Sequence, residues 1–239
     1  MNFTSFHFVG VFFVTLSLGH ILKGRWQRVF LLLASYYFYA AFEPYYLVLI
    51  LSSSVLDYYA GVCISERRRM QPGEPTRLAT MLPARVWLTL SILLNLGLLA
   101  YFKYTNFGIT ILNDVQPFGD TLFSWPAANI LLPIGISFYT FQSLSYTIDV
   151  YRGQLEARRN MVDFLLYVSF FPQLVAGPIV RAGTFFQDLD NRRSITRDDI
   201  VVGVTRIIVG FFRKLVLADN IGVAVNGVFA NHATIHPMD

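Results

Sequence analysis

Carboxylates buried in apolar runs are the residues of this chain whose type and position could do chemistry. Asp57 lies beside Tyr58 and Tyr59 inside the apolar stretch Tyr45–Ile64, and Asp149 closes the stretch Ile130–Val150 just ahead of Tyr151 and Arg152. An acid at such a place either locks helices through a partner or serves a function, because a bare charge there is costly. Asp149 and Arg152 are three apart, so on one helix they can pair. Alternatively, Arg152 stands ready for an anionic group such as a phosphate. The serines Ser52, Ser53, Ser54 and the Ser137–Ser145 run read as small packing residues between helices. Cys63, the single cysteine, reads the same way and excludes an intrachain disulfide.

The familiar soluble-enzyme signatures are absent: there is no GxSxG, phosphate loop, HExxH or CxxC. Nor is there a metal-ligand spacing or a cofactor fingerprint. The four histidines, His7, His20, His232 and His236, sit at an end of the first apolar stretch or in the tail. None neighbours an acid or a nucleophile. They read as ordinary interfacial or loop residues.

The elements that must carry these residues are membrane helices. Hydrophobic residues make up 54% of the 239 and charged residues 14%, against roughly 25% charge in soluble domains. Mean hydropathy is +0.49. A spanning helix needs about 20 mostly apolar residues. Five segments qualify: Phe6–Leu22, Trp26–Phe42, Tyr45–Ile64, Val86–Phe102 and Ile130–Val150. The first has its basic residues after it, the reverse of a signal peptide, and reads as a retained span. Glu43-Pro44 makes a tight turn between the second and third. Phe164–Ala176 is too short to cross and is broken by Gly177-Pro178, with Arg181 beyond. Asn160 and Asp163 stand at cap and third position before it. It is expected to enter and return to the same face, against protein or a water-filled cavity. A last helix, Ile200–Leu217, sets Gly203, Arg206, Gly210 and Arg213 near one stripe. It is either a span with buried polar residues or an interfacial helix with snorkelling side chains.

The fold class is therefore all-α: a polytopic transmembrane bundle of five to six spans with a re-entrant helix at 164–176. The net charge of +4 comes from short turns between apolar blocks and not from a continuous basic face, which argues against nucleic acid. Loops after the first, third and fifth spans carry Lys23, Arg25, Arg28, then Arg67, Arg68, Arg69, Arg77, Arg85, then Arg152, Arg158, Arg159. Loops after the second and fourth carry only Lys103. By the positive-inside rule the N-terminus is outside.

Four stretches carry a family resemblance. LLPIGISFYTFQSLSYTIDVYRG (Leu131–Gly153) resembles the central signature of the membrane-bound O-acyltransferases, in the bacterial branch that modifies extracytoplasmic polymers. FLLLASYYFYA (Phe30–Ala40), YFKYTNFG (Tyr101–Gly108) and FFPQLVAGPIVR (Phe170–Arg181) are similar to the same branch, and the alginate-type acetylases are the nearer likeness. The resemblance implies acetyl transfer to a polysaccharide hydroxyl, alginate for example. The donor would be presented on the cytoplasmic side of a cell membrane and the acceptor outside, joined by a tunnel. Partner proteins of an acetylation complex are implied, and no cofactor. Asp149, Tyr151, Arg152, Pro133, Gly177, Pro178 and Arg181 become tunnel or donor-side candidates, with Asp57 and Arg206 as intramembrane polar groups. The family's catalytic histidine follows a tryptophan, and no Trp-His pair occurs here: Trp26, Trp87 and Trp125 precede Gln27, Leu88 and Pro126. Residues 1–239 are thus expected to be the N-terminal portion of one membrane-embedded domain, inactive alone. The other reading is a non-catalytic module, a transporter half or a scaffold of a polysaccharide-export complex.

Topology can be tested directly. In Met70→Cys and Pro44→Cys variants, a membrane-impermeant thiol reagent added outside should label position 44 and not 70. Labelling of 70 but not 44 would reverse the orientation.

Overall fold

A computed structural model describes residues 5–41, 44–70, 82–114, 130–133, 135–174, 177–191 and 194–230. Every regular element among them is helical. The chain divides into two compact units, Met1–Asp190 and Asn191–Asp239, which are taken separately.

The first unit holds α1 (Phe6–Ile21), α2 (Gly24–Ala40), α3 (Pro44–Arg69), α4 (Ala84–Asp114), α5 (Ile136–Arg152), α6 (Met161–Ser169), α7 (Phe171–Leu174) and α8 (Ala182–Asp190). Two helices, Pro44–Arg69 and Ala84–Asn113, are long and apolar enough to cross a membrane. Helices fill the five apolar segments, but three differ from their expected bounds. The fourth runs on through YFKYTNFG to Asp114, where Thr105 and Thr110 return their hydroxyls to the carbonyls of Tyr101 and Asn106 and no proline intervenes. Lys103 is therefore helical, not in a loop. The fifth begins only at Ile136, because Gly135 takes a left-handed φ of 78° and the carbonyl of Pro133 receives the Ile136 N–H at 3.2 Å. The third extends to Arg69, so the first part of the expected basic loop is helix. The rest of that loop (71–81, with Arg77), Glu43 of the turn, Trp125, residues 175–176, Arg192, Arg193, His232 and His236 lie outside the described residues.

Helices α3, α4 and α5 pack against one another, and α6 packs on α2 and α3. The core between them is aromatic: Tyr139, Tyr146, Tyr167 and Phe164 are almost wholly buried. Tyr146 fits because Gly61 faces it; a Cβ there would stand 2.7 Å from the ring. Asp57 supplies the polar seam. It is fully buried, and its carboxylate accepts from the Ser91 hydroxyl at 2.6 Å and from the Asn95 amide at 3.0 and 2.9 Å. Asp57 thus ties α3 to α4, as a buried carboxylate must be tied. Ser53, Ser54, Ser143 and Cys63 are buried among the helices.

In the second unit, α9 (Arg197–Phe212) starts at a capping box between Thr196 and Asp199. It does not run straight to Leu217. A π-helical segment, Arg213–Ala218, intervenes before α10 (Asp219–Ala230). The wider turn brings Lys214 and Asp219, five apart, into an ion pair. Gly203, Arg206 and Gly210 stay on α9, with Arg206 exposed, while Arg213 opens the π segment.

Gly61→Ala should lower the thermal stability of the detergent-solubilised protein by about 1–3 kcal/mol, the usual cost of overpacking. Gly97→Ala, whose Cβ would meet nothing within 4 Å, should be neutral or slightly stabilising. Fluorescence-detected size exclusion after heating separates them. Equal melting of the two variants would contradict the Gly61–Tyr146 contact.

Candidate functional site

A cleft of about 510 Å³ opens where α2, α3, α6 and α8 meet the 155–160 loop. At its floor is Asp163, fully buried in an otherwise apolar helix. Asn160 caps that helix, accepting from Val162 N–H at 3.0 Å. Asp163 takes no part in the cap. Its Oδ2 accepts from Arg28 Nη1 at 2.7 Å and from Arg158 Nε at 2.8 Å. The same two guanidiniums reach Asp190 at the end of α8. Arg158 binds it two-pronged at 2.7 and 2.6 Å, and Arg28 adds a third bond at 3.0 Å. Two cations and two anions thus form a neutral cluster, buried at Asp163 and open to water at Asp190, in the fork geometry that suits arginine.

The cluster has an architectural consequence. Asp163 and Asp190 bracket α6, α7 and α8, and one pair of arginines holds both. The chain between them therefore leaves and returns to the same end of the bundle. Arg158 is itself seated by its ring contact with Phe186, at 5.2 Å, and by its backbone N–H, which donates to Tyr146 at 3.0 Å. The two-pronged bond from Arg158 holds the Asp190 carboxyl below the usual carboxylate range, and the same bond raises the Arg158 guanidinium. Oδ1 of Asp163 faces no donor. Arg69, paired with Glu156 at 2.5 Å, and Arg159 complete the cationic side of the cleft.

Asp57 lies in the seam between α3 and α4 and Arg206 in the second unit. Near the tip of the hairpin Gly135, two residues after Pro133, meets the Leu174 carbonyl, where a Cβ would lie 3.1 Å from the oxygen. Gly177 closes its turn by donating to the Gln173 carbonyl at 2.9 Å, and a Cβ there would strike the Gln173 backbone at 2.7 Å. Arg181 is exposed just before α8. At the other end, Asp149 and Arg152 make no ion pair with each other among the described residues. The Asp149 carbonyl caps α5 instead, accepting from Gln154 and Leu155 N–H, and Arg152 is exposed beside Gly153, whose φ is 75°. Tyr151 lines a second cleft with Arg67, Arg68 and Arg85. His7 donates to or accepts from the Tyr37 hydroxyl at 3.0 Å. Among the described residues no group of three or more His, Cys, Asp or Glu could hold a metal ion.

Polar contacts tie the motif stretches to one another or to residues beside them. Asn106 binds both N–H and C=O of Ile130, at 3.3 and 2.9 Å. Gln142 donates to the Tyr167 carbonyl at 2.6 Å, and the Tyr167 hydroxyl donates to the carbonyls of Gln142 and Val180 at 3.2 and 3.1 Å. Ser35 accepts from Phe171 N–H at 3.3 Å.

Comparison with known proteins is decisive for the relationship. The probable alginate O-acetylase AlgI of Pseudomonas aeruginosa is 40% identical over 240 residues, covering 96% of this chain and 42% of that protein. The chain is a homologue of the alginate O-acetylases. The probable alginate O-acetylase AlgI of Azotobacter vinelandii is likewise 40% identical, over 96% of this chain and 44% of its own length. A peptidoglycan O-acetyltransferase of Helicobacter pylori is 32% identical over 81% of this chain and 38% of that protein. The chain spans about two fifths of the length of the curated relatives it matches. No family model and no solved structure matches it. These relationships bear out the resemblance to the alginate-type branch of the membrane-bound O-acyltransferases.

In the sequence Arg28 and Arg158 stand out only as topogenic charges, Asp163 only as the third position after the Asn160 cap, and Asp190 not at all. The available signal was an acid inside the apolar run VDFLLYV, which the rule applied to Asp57 would have caught.

Asp163→Asn should destabilise the folded protein by about 1–3 kcal/mol, because it leaves two partly buried guanidinium groups short of a counter-charge. Asp190, with its lowered carboxyl, contributes stability that is full above the ordinary carboxylate pKa near 3.8. That contribution fades as pH falls through the lower folded value. Wild type should therefore lose more thermal stability between pH 5 and acid than Asp190→Asn does. Parallel acid profiles would contradict the ion pairing.

Proposed function

We propose that residues 1–239 are the N-terminal portion of a multi-pass membrane O-acyltransferase that moves an acetyl group onto a hydroxyl of an extracytoplasmic polysaccharide. The observation that carries this reading is the 40% identity with probable alginate O-acetylases over 96% of the chain. The contacts of Phe171 with Ser35 and Phe38 and of Leu174 with Gly135 support it, because they join three of the segments that resemble the family into one packed body.

In this reading the end of the bundle that carries Arg28, Arg67, Arg68, Arg69, Arg85 and Arg158 faces the cytoplasm and the N-terminus lies outside. The hairpin α6–α7–α8 is a re-entrant segment. It enters from the cytoplasmic face, turns at Gly177 and Pro178 against Pro133 and Gly135, and returns to the Arg28–Arg158 cluster. Asp163 and Asp190 hold its base, so its tip is fixed at depth as part of the tunnel wall. Asp149, Tyr151 and Arg152 lie on the donor side. Arg206 belongs to the second unit as a polar group of an apolar helix. The acyl donor meets the cytoplasmic side and the acceptor, alginate or a related polymer, the outer side, with partner proteins of an acetylation complex.

The general base that the transfer needs must come within hydrogen-bond reach of the acceptor hydroxyl. His7 and His20 are both exposed, and neither is placed for that task. The base belongs to the remainder of the protein, which the longer relatives accommodate.

The test is O-acetyl content of secreted polysaccharide in a host stripped of its own acetylase. A complete reading frame containing this chain should restore acetyl esters, and Met1–Asp239 alone should give background only. Acetylation by Met1–Asp239 alone would refute the division of labour. A complete protein that inserts yet leaves the polymer unacetylated would favour the non-catalytic module.

A further inference from the structure

The second cleft is distinct from the Arg28–Arg158 cluster and shares only Tyr151 with the donor-side candidates. It measures about 520 Å³ and is lined by Arg67, Arg68, Pro83, Ala84, Arg85 and Tyr151. Three cations converge there, and no carboxylate among the described residues lines it. Like charges at such range repel one another unless an anion joins them.

One of the three is fixed in place. Arg68 donates Nη1 to the carbonyl of Val150 at 3.1 Å, and its guanidinium lies directly against Gly153, in the space that a Cβ would take. Gly153 is therefore required twice, for its left-handed φ of 75° and for the room it leaves Arg68. Arg85 sits in the first turn of the 31-residue α4, where the helix dipole adds positive potential. Tyr151, half-buried at the edge of the core, also lines the cleft. A held guanidinium, two flanking ones, a helix start and a phenol make a receptor for a doubly charged oxyanion. Arginine forks match phosphate oxygens two at a time.

We propose that Arg67, Arg68, Arg85 and Tyr151 form a binding site for a phosphate ester, at the end of the bundle where α3 and α5 finish and α4 begins. The proposal goes beyond the acyltransferase reading and does not need it. The phosphate can come from a lipid headgroup or from a soluble molecule, and the two sources are separable by experiment.

The full protein, purified in neutral detergent, is titrated with inorganic pyrophosphate. In parallel, retention of phosphatidylglycerol against phosphatidylcholine is read by native mass spectrometry. Arg85→Gln is the deciding variant, since Arg85 is exposed and its loss leaves the helix ends intact; Arg68→Gln is the companion. Either change should weaken binding about tenfold, as loss of a charge-assisted bond does. Arg25→Gln, on the exposed start of α2, should change it by no more than about twofold. Loss of pyrophosphate binding alone assigns a soluble ligand, loss of phosphatidylglycerol retention alone assigns a lipid, and loss of both assigns a site open to either. The proposal is overturned if the wild type binds neither probe. It is equally overturned if Arg85→Gln changes neither, or if Arg25→Gln weakens both as much.

Discussion

Two arginines that each hold two aspartates organise the part of this chain that is not simple helix bundle. Arg28 comes from the first turns of α2, Arg158 from the loop before α6, Asp163 from the buried start of α6 and Asp190 from the last turn of α8. Removing any one leaves a partly buried charge without its complement, which costs more than the intact cluster contributes. The cluster therefore acts less as a source of stability than as a constraint on path. It makes the excursion between Asp163 and Asp190 begin and end at one place.

With the base fixed, the tip is positioned by packing. Tyr167 stands at the middle of the hairpin, bonded to Gln142 on α5 and to the descending strand of chain at Val180. Phe171 packs at a tilt on Phe38, with ring centroids 5.2 Å apart, and its N–H is taken by Ser35. At the tip the approach of Leu174 to Gly135 leaves no room for a side chain. The contacts of Phe171 with Ser35 and Phe38 and of Leu174 with Gly135 join residues of two motif stretches, and Tyr167 bridges two of them from outside, so irregular backbone here is satisfied by neighbouring protein.

Much of the fold was legible from hydropathy and charge. The apolar segments are helical, Asn160 caps α6 as its spacing suggested, and Asp57 finds hydrogen-bond partners across α4. What misled was local grammar overridden by context. YFKYTNFG looks like a loop by its Asn and Gly, yet helix α4 runs through it because the threonines bond back along the helix and Asn106 faces outward to Ile130. Asp149 and Arg152 have the spacing of a pair, but α5 ends at Gly153 and releases Arg152 to the surface. Asp163 has the third-position spacing of a capping box, but its partners are Arg28, 135 residues upstream, and Arg158 in the preceding loop. Long-range ion pairs leave no local periodicity, so the centre of the site could not be read from spacing alone.

The central claim is that α6, α7 and α8 form a hairpin whose two ends share one face of the membrane. Its most direct measurement is the sidedness of two exposed positions at that base, Asn160 and Asp188, each changed to cysteine in the full protein and probed with an impermeant thiol reagent in right-side-out and inverted vesicles. The account predicts that both label from the same face, the one that carries Arg28. Labelling of Asn160→Cys and Asp188→Cys from opposite faces would contradict it.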